Sequence, residues 1–140
     1  MDFIDFGVDF AICYRPMRSA YLIIAHGSRE KESNQAFEEL LEKFRKAYPD
    51  RLIEGAFLEI AKPGIPEAIE TCIQKNAAEI FILPLMLFPG RHVKEHIPRF
   101  IEQAKASHPE VDFHYAGPLS DHPLLISLLE EKADQFQTNR

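Results

Sequence analysis

Tryptophan is absent from the 140 residues, and cysteine occurs only at Cys13 and Cys72. The two thiols form no CxxC pair, which argues against a cysteine zinc site or an iron–sulfur cluster, and no secretory framework supports a disulfide. Cys72 falls on the apolar face of a predicted helix and is expected to be a buried thiol. Long apolar runs are also missing. None approaches the ~18 residues of a membrane span, so no membrane partner is expected. The N-terminal stretch MDFIDFGVDFAICYRPMRSA lacks the basic start and continuous apolar core of a signal peptide, which makes the cytoplasm the expected location. Positive charge is in short supply, with 16 Lys and Arg against 22 Asp and Glu and a formal charge of −6. A general nucleic-acid binder usually shows the opposite balance, so no nucleic-acid partner is expected. Low-complexity tracts are absent too.

What remains is an ordinary globular composition, 46 % hydrophobic and 27 % charged, in a chain long enough to bury most of its apolar surface as one domain. Ala20–Ala25, AYLIIA, is a short continuous apolar run, the signature of a strand covered on both faces. Phe37, Leu40, Leu41, Phe44 and Tyr48 share one helical face, with Ser33 as the expected cap and Pro49 as the stop. Strands are predicted at Leu52–Leu58, Glu79–Leu85 and Val111–Ala116. A second helix carries Ile65, Ile69, Cys72 and Ile73, with Asn76 at its C-terminal cap. A third carries Val93, Ile97, Phe100, Ile101 and Ala104, with Pro98 either in the first turn or at a kink. A last amphipathic helix spans Leu124–Phe136 behind Asp121. The order β-α-β-α-β-α-β-α predicts an α/β three-layer sandwich, a four-stranded parallel sheet with helices on both faces. Residues 1–19 fit this pattern poorly and are set apart as an N-terminal extension from a domain at 20–140. Met17 as the true start codon, an edge strand, and a partner-contacting arm are three open readings of it.

Open parallel sheets bind ligands outside the C-terminal strand ends. Three groups of metal-ligand type fall there: His26 in AHGS, Glu59 in FLEIAKP, and His92 at the far end of FILPLMLFPGRH. The two intervals both count 33 residues, about one β-α repeat. A lone histidine at a strand end is usually a hydrogen-bonded turn residue, and a lone glutamate often caps a helix. The convergence of three such groups on one edge is what points to a divalent-metal site. Two imidazoles and a carboxylate suit iron, cobalt, nickel or zinc and leave coordination positions open, and histidine also accepts protons near neutral pH. HVKEH matches a zinc-peptidase pattern literally, but Pro98 argues against a regular helix through it, and the chain leaves little room for a substrate subdomain. AHGSR lacks the arginine that precedes His-Gly in histidine phosphatases. Gly27 and Ser28 still resemble an anion-receiving turn, and Arg29, Arg91 and Lys94 are candidates to pair with substrate carboxylates. Met86–Lys105 holds four basic and two acidic residues. His108, His114 and His122 read as peripheral.

At AHGSR, AFLEIAKPGIPEAI, ILPLMLFPGRHVKEHIP and YAGPLSDHPLL, in this order and spacing, the sequence resembles the small single-domain sirohydrochlorin chelatases of the class II chelatase group. The likeness covers Ala20 to about Phe136. It implies ATP-independent insertion of a divalent metal, Co²⁺ or Fe²⁺ with Ni²⁺ a third option, into sirohydrochlorin, with loss of two pyrrole protons, in cobalamin or siroheme biosynthesis. The metal is then a substrate, and no organic cofactor is implied. His26 and His92 are the implied metal ligands and proton acceptors and Glu59 the implied active-site acid, with ligand and base roles unassigned between the histidines. Leu85 and Phe88, in a flexible Met86–Gly90 loop and its approach, are expected to cover the ring, and Ser28, Arg29, Arg91 and Lys94 to meet its rim. The family commonly has an acidic residue where this chain has His96, which leaves His96 as an added ligand, a modifier of metal preference, or silent. The small members look like half of a duplicated larger chelatase, so a homodimer is expected. The contrasting class is a non-catalytic tetrapyrrole or metal carrier.

Overall fold

The computed structural model describes residues 18–137. Cys13 and the three readings of the extreme N-terminus lie outside them. Four strands, β1 (Arg18–Ala25), β2 (Leu52–Phe57), β3 (Ala77–Pro84) and β4 (Asp112–Tyr115), form one sheet in the order β2-β1-β3-β4. Every neighbouring pair is parallel. β1 reaches back to Arg18, two residues before the expected start. The helices are α1 (Lys31–Ala47), α2 (Ile65–Gln74), α3 (Ile97–Ser107) and α4 (Leu124–Asp134).

Alternation along β1 divides the core. Leu22 and Ile24 point to a layer with Ile80 and Ile82 that α2 and α3 cover through Ile65, Ile69, Cys72, Ile97 and Ile101. Ile23 points the other way, with Ile53 and Phe57, under Phe37 and Leu41 of α1. This is the expected three-layer arrangement. Gly55 makes the α1 packing possible, since a Cβ there would lie 2.3 Å from Leu41 Cδ1.

Several local expectations change. Ser33 lies inside α1 and does not cap it; Glu30 holds the cap position without a side-chain hydrogen bond. The stripe on α1 is narrower than its periodicity suggests, because Leu40 and Tyr48 are exposed. Tyr48 instead receives the Arg51 guanidinium over its ring at 4.4 Å. Asn76 stands one position beyond the C-terminal cap of α2, in the left-handed region at φ +69°, a common helix ending. Its N–H donates to Ile73 O at 2.9 Å. Pro98 is accommodated by a π-helical turn at His92–His96 that leads directly into α3. There the Ile97 N–H donates to His92 O, five residues back. The wider turn removes the need for the amide that proline lacks. α4 has the expected position but contributes no buried residue.

Candidate metal centre

β1 and β2 end side by side, with Ala25 paired to Phe57. The ladder continues past the strand ends: Leu58 N–H donates to Ala25 O at 2.9 Å and Glu59 N–H to His26 O at 3.1 Å. The two loops touch at Gly27. Its φ is +92°, and a Cβ there would sit 1.9 Å from the Glu59 carbonyl oxygen, so only glycine fits. Ile60 adopts φ +70°, uncommon for a β-branched residue, and Ala61 N–H closes a turn on Glu59 O at 2.8 Å. These features hold the Glu59 side chain next to His26.

The third group arrives from the other side of β1. Leu85 N–H donates to Ile24 O at 2.8 Å, and the chain then leaves β3. The loop expected to be flexible is anchored at its start. Met86 O and Leu87 O accept from Leu119 N–H and Ser120 N–H at 2.9 and 2.8 Å. After a tight turn at Phe88–Gly90 the π-helical turn begins and presents His92. Tyr115 Oη donates to Val93 O at 2.7 Å and ties that turn to β4; burial pushes the phenol pKa up, so it stays a donor.

His26, Glu59 and His92 therefore meet at the C-terminal edge, with ligand atoms all within 4.8 Å of one another. His26 Nε2 lies 3.3 Å from His92 Nε2 and 3.2 Å from Glu59 Oε1. At roughly 2.1 Å per bond, these separations subtend roughly 100° at a shared ion, an angle that tetrahedral and octahedral metals both tolerate. His26 and Glu59 are each 49 % exposed at the side chain, so the cluster is open to solvent. β1 lies between β2 and β3, and the site straddles that reversal of strand order.

The other expected residues share this edge without joining the cluster. Ser28 organises the turn. Its N–H donates to Asn34 Oδ1 at 3.0 Å, its carbonyl accepts from Asn34 Nδ2 at 2.8 Å, and its Oγ accepts from Glu30 N–H at 3.1 Å. The Ser28 amide is thus already occupied, contrary to the expectation of free N–H groups. Arg29 and Lys94 are exposed, and Arg91 pairs with Glu95 at 3.2 Å. Leu85, Leu87 and Phe88 expose apolar surface, Phe88 most at 71 %. His108, His114 and His122 bond elsewhere, to Glu70, Glu79 and the Leu124 amide. Asn34 and Tyr115 were not picked out from sequence. An asparagine in the first turn of a helix was a usable signal for the former, while nothing in the sequence pattern pairs Tyr115 with Val93.

The sequence model of the CbiX family matches residues 20–136. A sirohydrochlorin cobaltochelatase of Priestia megaterium is 33 % identical over 119 residues, 84 % of this chain and 38 % of its own length. A chloroplastic sirohydrochlorin ferrochelatase of Arabidopsis thaliana is 32 % identical over 111 residues, 79 % of this chain and 49 % of its own. The solved sirohydrochlorin chelatase SirB of Bacillus subtilis subspecies spizizenii, in complex with cobalt, superposes with a TM-score of 0.69 at 32 % identity, over 73 % of this chain and 44 % of that one. The chain thus spans about half the length of these relatives or less. With a match over nearly all the described residues and relatives of this identity, the chain belongs to the CbiX family.

Proposed function

We propose that the protein inserts a divalent metal, Co²⁺ or Fe²⁺, into sirohydrochlorin without ATP. The observation that carries this reading is the convergence of His26 Nε2, Glu59 Oε1 and His92 Nε2 at an open sheet edge. Names of relatives support cobalt and iron as the ions; the donor set also suits nickel. Insertion requires the metal to shed water and the macrocycle to lose two pyrrole protons. His26 and His92 hold the ion through Nε2 over one ring face, and each Nε2 that releases the ion to the ring is then free to take one of those protons. Glu59 balances the ion's charge and accepts from whichever imidazole is protonated. Leu85 and Phe88 offer apolar cover to the ring. Arg29, Arg91 and Lys94, with the Ser28 hydroxyl, are placed on the same edge for its carboxylates. The site's half-exposure suits an ion that must be delivered and released.

The reading extends to assembly and location. α4 exposes Leu124, Ile126, Leu128 and Leu129 by 51–68 %, a surface that water does not favour, and the relatives carry about twice this chain's length. A second copy of this chain, forming a homodimer, is the occupant proposed for that surface. No described helix is long and apolar enough to cross a membrane; a cytoplasmic place is part of the proposal.

The test is an anaerobic comparison of initial rates. Conversion of the free-base sirohydrochlorin spectrum by Co²⁺ or Fe²⁺ should be faster with the protein than without. A spectrum shifted by binding, with no acceleration over spontaneous insertion, would replace the chelatase with a carrier.

A further inference from the structure

His96 touches the metal centre from behind. Its Nδ1 lies 2.7 Å from His92 Nδ1, with the two rings edge to face at 4.7 Å. The π-helical turn brings residues four apart onto one face, and both side chains are half-buried. His96 also lines a cavity of about 150 Å³ with Leu58, Glu59, Arg99 and Phe100, yet it is not among the groups whose ligand atoms converge. We infer that His96 is a positioning residue: it accepts the Nδ1–H of His92 and so leaves His92 Nε2 bare toward the metal.

The direction of the contact follows from the ligand role of His92. Two imidazole nitrogens bond only when one is protonated and the other bare. An ion held through His92 Nε2 takes the lone pair of that nitrogen, as it takes that of His26 Nε2 3.3 Å away, so both are bare in the liganding state. The proton of neutral His92 is left on Nδ1, where His96 receives it. His26 is fixed in a parallel way, with its Nδ1–H on Gly27 O at 3.1 Å. Metal-binding histidines commonly have the distal N–H tied to a carboxylate or carbonyl, and losing that partner costs 10–100-fold in affinity or activity. Here an imidazole takes that place for His92. As a neutral acceptor it orients the ring without adding negative charge behind it.

The inference rests on the chelatase reading for the ion, but part of its test needs no metal. Long-range ¹H–¹⁵N spectra should show His92 protonated at Nδ1 and bare at Nε2. In His96→Ala the pattern should move toward the Nε2–H tautomer that imidazole prefers in water. Direct Co²⁺ titration should find His96→Ala roughly 10–100-fold weaker, with the visible cobalt bands keeping the shape of the parent complex. His96→Asn, whose Oδ1 can accept the same proton, should recover most of the loss. Unchanged tautomer or affinity in folded His96→Ala overturns the inference. Altered cobalt bands, or an Asn variant as weak as Ala, overturn it in favour of a ligand or packing role. A parent chain that shows the stated tautomer but binds no Co²⁺ overturns the metal reading while leaving the His96–His92 bond in place.

Discussion

A methyl group at Gly27 would lie 1.9 Å from the Glu59 carbonyl oxygen and would have to adopt φ +92°. Gly27→Ala should therefore cost about 1–3 kcal/mol and slow metal insertion by moving Glu59 from His26. Gly90→Ala meets nothing within 4 Å and should change stability by less than about 0.5 kcal/mol. Equal denaturant midpoints for the two variants would contradict this account. Cys72 gives a second residue-scale test. Burial, with Glu54 adding to it, pushes its thiol up to about 12, so alkylation at pH 8 should be slow in the native protein and fast in denaturant; rapid native labelling would contradict the burial. His26, Glu59 and His92 were legible in the sequence because each follows a readable strand and residue type limits what the ends can do. Gly27's contact was not. A glycine announces conformational freedom, but which backbone approaches it depends on strand register. His96 was visible as a departure from the family pattern, and its 2.7 Å contact with His92 appears only once the π-helical turn is known.

Among the elements, the middle of α2 is tied to the C-terminal end of α3 by a histidine–carboxylate pair. His108, at the C-terminal cap of α3, lies 2.6 Å from Glu70 and 3.5 Å from Glu110. The Glu70 hydrogen bond holds the His108 pKa above its ordinary value, with Glu110 adding to it. A raised folded pKa stabilises fully below the unfolded value near ~6.5 and loses the effect as pH rises through the folded value. Glu70→Gln should thus lower the urea midpoint relative to the parent at pH 6 and not at pH 9. A gap equal at both would show that charge on His108 is not involved. The strands and three of the helices were readable because their periods match faces that are buried. The exceptions have local causes. Ser33 looked like a cap because caps are recognised by residue type, whereas the helix begins where the Ser28–Asn34 turn releases the chain. Leu40 and Tyr48 sit on the apolar stripe of α1, but α1 covers only the β1–β2 side of the sheet through Phe37 and Leu41. Leu41→Ala, at 1 % exposure, should cost about 2–5 kcal/mol by thermal or chemical unfolding; a loss below 1 kcal/mol would mean that face is not packed as described.

For the molecule as a whole, the sheet order places β1 at the centre and brings groups from three strand ends to one edge, so the site depends on the complete fold. The last helix departs from its periodicity: an amphipathic pattern signals that a face is to be covered and is silent on what covers it. α4 finds no cover among the described residues, and a second copy of the chain is the cover proposed for it. Leu124→Glu with Leu128→Glu should convert a dimer to monomers in sedimentation velocity; a parent chain that is already monomeric would contradict the proposed assembly. The most direct test of the central claim is the anaerobic initial rate of Co²⁺ insertion into sirohydrochlorin by the parent, His26→Ala and His92→Ala, with circular dichroism of each. The account predicts acceleration by the parent and none by either variant, with all three folded alike. Full acceleration by both folded variants would contradict it.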